Sequence, residues 1–147
     1  MSLEARLATL EQQQALIQAR QDIWQTVARY ARGLDEQRDA DLAEIFTDDV
    51  VLQTEPWTQR PLVGKALALK ALRNYRWAFQ HPRRFITNHQ VDVHDDGTAT
   101  GYANWFVVQA REEQSYSRTV VGAATSGIFA TKMACGRSAA CSLPWIA

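Results

Sequence analysis

Few residues of this 147-residue chain are able to do chemistry, and their spacing narrows what they could do. The histidines are His81, His89 and His94. A histidine works as a base near neutral pH when it is sheltered and oriented, usually by a carboxylate. His81 stands at a helix end and His94 beside an Asp95-Asp96-Gly97 turn, so both are expected in solvent. His89 lies in a strand-like run, Arg84 to Val93. Alternate strand residues face opposite ways, so Arg84, Ile86 and Asn88 share one side and Phe85, Thr87 and His89 the other. Only a one-residue slip or bulge would bring His89 to the Arg84 side. Arg84 stays protonated at any working pH and cannot be a base. It can pair with a carboxylate or bind an anionic group. Asp35 closes the first long helical stretch, where a carboxylate can simply bond backbone amides. Cys135 and Cys141 have no His or Cys at ligand spacing and read as bystander thiols. No metal-ligand spacing and no phosphate-cradling glycine loop occurs, so no cofactor is expected.

The elements that must position these residues can be read from periodicity. Leu3, Leu7 and Leu10, then Ile23, Val27, Ala31 and Leu34, make a helical stripe over residues 3–34. Gly33 is the expected stop. The first dozen residues are expected to form a separate turn or packing arm. Residues 39–46 predict a short helix with Asp39 as N-cap, and Val50 to Thr54 a strand. Glu55 to Val63, with Pro56, Pro61 and Trp57, reads as a loop. A third helix is expected from Lys65 to Phe79, ended by Pro82. Arg84–Val93 and Thr98–Ala110 should form a hairpin about Asp95-Asp96-Gly97. The order gives an α+β class, helices on one face of a curved antiparallel sheet.

Composition bounds the partners. Sixteen Lys and Arg balance sixteen Asp and Glu, which argues against nucleic acid as the main partner. No apolar run is long enough to span a membrane, and the polar N-terminus lacks a signal core. A cytoplasmic location is expected. One domain, residues 1–147, fits the length.

An ordered set of segments carries a resemblance. They are Tyr30-Ala-Arg-Gly-Leu-Asp35, Asp41 to Val50, Gly64-Lys-Ala, Phe85-Ile-Thr-Asn-His89 and Asp96-Gly-Thr-Ala-Thr-Gly101. Over residues 10–110 the chain resembles the SnoaL-like family of the NTF2-like (cystatin-like) superfamily. That resemblance implies a cone: a bent antiparallel sheet wrapped round a long N-terminal helix, with a deep apolar pocket. Family members include scytalone dehydratase, a dehydrochlorinase and bile-acid 7α-dehydratase. Ring-hydroxylating dioxygenase small (beta) subunits share the fold and are structural. In the lyases an Asp–His dyad supplies the base. Asp35 matches the Asp, and Tyr30 a dehydratase Tyr pointing into the same pocket. The His position falls on Arg84. The resemblance thus implies a cofactor-independent lyase on a small cyclic, apolar or aromatic substrate, with Asp35 and Tyr30 catalytic and Arg84 and Asn88 binding polar substituents. Trp105 and Trp57 are the expected pocket lining. The alternative is a ligand-binding protein or structural subunit without chemistry, because Arg84 replaces the His. A homo-oligomer, dimer or trimer, is expected.

The tail, residues 119–147, differs in kind. No acidic residue follows Glu113, where about four would be expected from the average. Family members end with an acidic-Asp-Gly turn and Trp-Lys/Arg-Ile. The codons allowed for Thr131 to Ser138, read from each third base, can spell Glu-Asp-Gly-Val-Trp-Lys-Ile, and Met133-Ala134 forces the Gly. A frameshift between about Tyr116 and Gly122 would explain the tail. Thr119-Val-Val and Gly127-Ile-Phe-Ala could still pair as strands. The apolar ending Leu143-Pro-Trp-Ile-Ala is expected to cover the pocket or a subunit interface.

Overall fold

The computed structural model describes residues 2–52, 60–76, 81–110, 118–125, 128–132 and 145–146. Helix α1 runs unbroken from Leu3 to Asp35, 33 residues, so the expected separate turn before residue 12 does not form. The Ser2 hydroxyl caps it by accepting the Ala5 N–H at 3.2 Å, and no Pro or Gly interrupts the early turns. Gly33 is not the stop. The chain leaves the helix at Gln37, whose φ is 58°, while the Arg38 N–H reaches back to the Gly33 carbonyl at 2.8 Å. This is a Schellman closure with a non-glycine in the left-handed position. Gly33 serves packing instead: a Cβ there would lie 2.8 Å from Leu42 Cδ2.

Helix α2 spans Asp39–Ile45. Asp39 is its first residue, not its cap, and meets Arg73 at 2.8 Å. Strand β1, Val51–Leu52, pairs antiparallel with β2, Leu62–Val63, inside the segment expected to be loop. Two apolar residues beyond Pro61 suffice for this two-rung ladder. Gly64 at φ 97° turns the chain into α3, Lys65–Arg76. Residues 53–59 and 77–80, and with them Trp57 and Trp77, lie outside the described residues.

Strands β3 (Pro82–Val93) and β4 (Thr98–Ala110) form the long hairpin. Gly97 at φ 78° closes its turn, and Asp96 accepts from the Thr98 N–H and hydroxyl at 2.9 and 2.6 Å. Strands β5 (Arg118–Thr125) and β6 (Ile128–Lys132) lie end to end along the other edge of β4. Both expected tail strands therefore form. Trp145–Ile146 makes β7, paired with β6. The architecture is α+β, a long N-terminal helix against an antiparallel sheet. The core joins Val27 and Leu34 of α1, Leu42, Ile45 and Phe46, Val50 and Leu52, Ala68 and Leu72, and Ala103. Each large side chain among them contributes about 1.5–3 kcal/mol on burial.

Candidate functional site

The sheet's first strand and the second half of α1 face each other. At helical spacing, Trp24, Val27, Ala28, Ala31 and Asp35 line one wall of a groove of about 400 Å³. Arg84, Ile86 and His89 stand opposite. The Trp24 and Phe85 side chains at its rim are 48% and 47% exposed, so it is an open groove rather than an enclosed hollow. Tyr30 and Ile86 pack against the buried core that contains Phe46.

Asp35 and Arg84 meet at one end. The Arg84 N–H donates to Asp35 Oδ2 at 2.7 Å and its Nη1 donates to Oδ1 at 2.6 Å. One residue thus grips both carboxylate oxygens, a charge-assisted clamp. The two side chains are 9% and 7% exposed. Asp35 ends α1, where the helix dipole disfavours a negative charge, and the guanidinium compensates that. The position that the resemblance assigns to a histidine is filled by this ion pair.

The far end holds His89. Between Thr87 and Gln90 the β3–β4 register slips by one residue, and Asn88 adopts φ 55°. This bulge reverses the alternation beyond it. Ile86, His89, Val91 and Val93 are half-buried on the side of the buried Arg84 side chain, whereas Phe85, Thr87, Asn88, Gln90 and Asp92 are exposed. Strict alternation would have placed Asn88 inward; the bulge turns it out to solvent instead, away from the groove. Asparagine suits the left-handed backbone required there. His89 lies near Trp24, ring centroids 6.5 Å apart, and its buried Nε2 has no hydrogen-bond partner. Burial lowers its pKa from 6.5, which favours the neutral ring. Trp24 stands eleven residues before Asp35, about 16 Å along the helix, so His89 and Asp35 sit at opposite ends of the groove.

The other expected site residues are placed as follows. Tyr30 is five positions before Asp35, about 140° round the helix. Its ring packs edge-on against Phe46 at 6.2 Å, on the α2 side and not among the groove residues. Trp105 pairs across the sheet with Ile86, on the face that carries Ala103 and Val107. The contribution of Trp24 and His89 was missed. The spacing of Trp24, Val27, Ala31 and Asp35 held the signal for the first, and only the bulge reveals the second.

The family of SnoaL-like domains matches residues 15–130. The chain belongs to the SnoaL-like domain family. No curated protein matches it. Among solved structures, it is similar to an NTF2-like protein with a cystatin-like fold from Novosphingobium aromaticivorans (TM-score 0.78, 17% identity, 95% of this chain and 87% of that one). It is similar to a Catenulispora acidiphila protein solved in complex with S-DNPA (0.67, 22%, 90% and 93%). A third is described as the beta subunit of an aromatic-ring-hydroxylating dioxygenase from Novosphingobium aromaticivorans (0.70, 17%, 90% and 89%). These likenesses establish the NTF2-like, cystatin-like fold of this SnoaL-like domain. Among the described residues no helix is long and apolar enough to cross a membrane, and no His, Cys, Asp and Glu cluster could hold a metal.

Proposed function

We propose that this SnoaL-like domain holds a small cyclic, apolar or aromatic molecule in the α1–β3 groove without carrying out elimination on it. The supporting observation is the Asp35–Arg84 clamp, with both carboxylate oxygens held at 2.6–2.7 Å. An eliminating enzyme needs a group that takes a proton. Asp35 is engaged by the guanidinium that stands where the resemblance places an imidazole, and a guanidinium accepts no proton. Trp24, Val27, Ala28 and Ala31 offer an apolar wall suited to a ring. The similar Catenulispora protein was solved with a bound small molecule, which favours the same use of the fold.

A lyase reading retains one specific support: His89 is half-buried, its pKa lowered by burial, and without a partner at Nε2. In that reading His89 is the base and Asp35–Arg84 positions the substrate. Thermal-shift screening of small phenols, cyclic ketones and halogenated cyclohexanes tests the binding. The expected result is a raised melting temperature for some ring compounds, lost in Trp24→Ala. A panel with no shift, or shifts unaffected by Trp24→Ala, would overturn the groove as the site.

A further inference from the structure

Among the described residues the first half of α1 packs against no other element. Every residue from Ser2 to Gln18 is exposed. Among them Leu3, Leu7, Leu10 and Ile17 are 81%, 55%, 60% and 64% exposed, and the stripe continues to Trp24 at 48%. A helical segment of this length without tertiary packing is marginal in water. Leu3, Leu7, Leu10, Gln14, Ile17, Gln21 and Trp24 are spaced alternately by four and three, the seam of a coiled coil. The residues that α1 buries in its own domain, Ala19, Ile23, Thr26 and Val27, lie about half a turn round from that seam at about 100° per residue. Up to Ile17 the outward face can therefore take a second helix; at Trp24 the same side of α1 already faces β3 across the groove.

We propose that this face pairs with the same face of a second copy of the chain, as a parallel two-stranded coiled coil. Charge chooses the orientation. With Leu7, Gln14 and Gln21 at a and Leu3, Leu10, Ile17 and Trp24 at d, the flanking positions hold Arg6 and Arg20 at g and Glu4 and Glu11 at e. Parallel pairing sets g against the e of the next heptad, so Arg6 meets Glu11 of the partner subunit, twice by symmetry. Antiparallel pairing sets g against g and brings Arg6 towards Arg20 of the partner subunit, like against like. Gln14 and Gln21 at the seam weaken the pair and favour one register. The seam runs into the groove at Trp24, so the pairing rests on Leu3 to Ile17 and not on what the groove holds.

Sedimentation equilibrium over a wide concentration range tests this on the full chain. A monomer–dimer equilibrium is expected, with Leu7→Glu/Leu10→Glu raising its dissociation constant about a hundredfold or more. Both side chains are exposed in the single chain, so circular dichroism should show the variant still folded. Gln14→Cys, in a background carrying Cys135→Ser and Cys141→Ser, should form a disulfide-linked dimer under mild oxidation, because a-position residues face each other only in the parallel arrangement. A chain monomeric at all concentrations overturns the proposal, whether or not it sediments with phosphatidylglycerol vesicles. So does a dimer indifferent to Leu7→Glu/Leu10→Glu, which another surface must hold. A dimer weakened by that variant but not linked through residue 14 overturns the parallel orientation.

Discussion

At the scale of single residues, the ion pair between Asp35 and Arg84 fixes the character of the groove. Both side chains are almost fully buried, so each is costly without the other. Asp35→Asn or Arg84→Met alone should destabilise the fold by about 3–5 kcal/mol in urea denaturation. Asp35→Leu combined with Arg84→Met should recover part of that loss, because no charge is stranded while the backbone N–H of residue 84 loses its Asp35 acceptor. Additive losses would mean that the two residues do not interact. His89 gives a pH signature. Its pKa is lowered by burial, so below 6.5 the unfolded chain takes up this proton more readily than the folded one. Stability from this group is complete above 6.5 and falls as the pH drops through the window down to the lowered value. Urea midpoints for the parent and His89→Phe should diverge with pH in that window and run parallel above it; a constant difference throughout contradicts the burial. Asp35 and Arg84 were legible as residue types that fit one another across the chain. Tyr30 was not, because its angular distance from Asp35 on the helix sends it to Phe46. His89 depended on a bulge that no residue type announces, although Asn88 is of the kind that tolerates one.

At the scale of elements, two neighbouring positions end α1 and dock α2. Gln37 sits in the left-handed region at φ 58°, which costs a side chain about 1–2 kcal/mol. Gln37→Gly should therefore stabilise by about 1 kcal/mol, seen as a higher urea midpoint with unchanged slope. Gly33 lets Leu42 approach to the point where a Cβ would meet it at 2.8 Å. Gly33→Val should cost about 2 kcal/mol or more, since Leu42 is fully buried and cannot retreat. A neutral substitution there would mean that α2 is free to shift. Periodicity predicted α1, α2, α3 and the long hairpin, because each carries its own apolar spacing and turn residues. It misplaced the end of α1, since a glycine that admits a neighbouring helix looks the same in sequence as one that stops a helix. Strand β2 was missed for a different reason: two residues carry no period.

For the whole molecule, the tail raises a separate matter. Strands β5 and β6 pair with β4 although their residues are mostly small and β-branched. Backbone hydrogen bonds form with any side chain, so the sheet position is filled by a segment that carries no acidic residue. The family match ends at residue 130, next to the point where the alternative frame would spell the turn motif. Sequencing the coding DNA should show an Asp-Gly-x-Trp motif in the shifted frame across Thr131–Ser138; its absence ends the frameshift explanation. The fold was legible because an ordered set of weak segments is specific when no single one is. Function was less so, because the same fold serves chemistry and binding, and the Asp35–Arg84 contact on which the proposal rests joins residues 49 positions apart. The most direct measurement is therefore mass spectrometry of a ring compound recovered after long incubation with the protein that binds it. The compound should return unchanged in mass. A product lighter by water or by hydrogen chloride, formed by the parent and not by His89→Phe, would contradict the account and establish a lyase with His89 as its base.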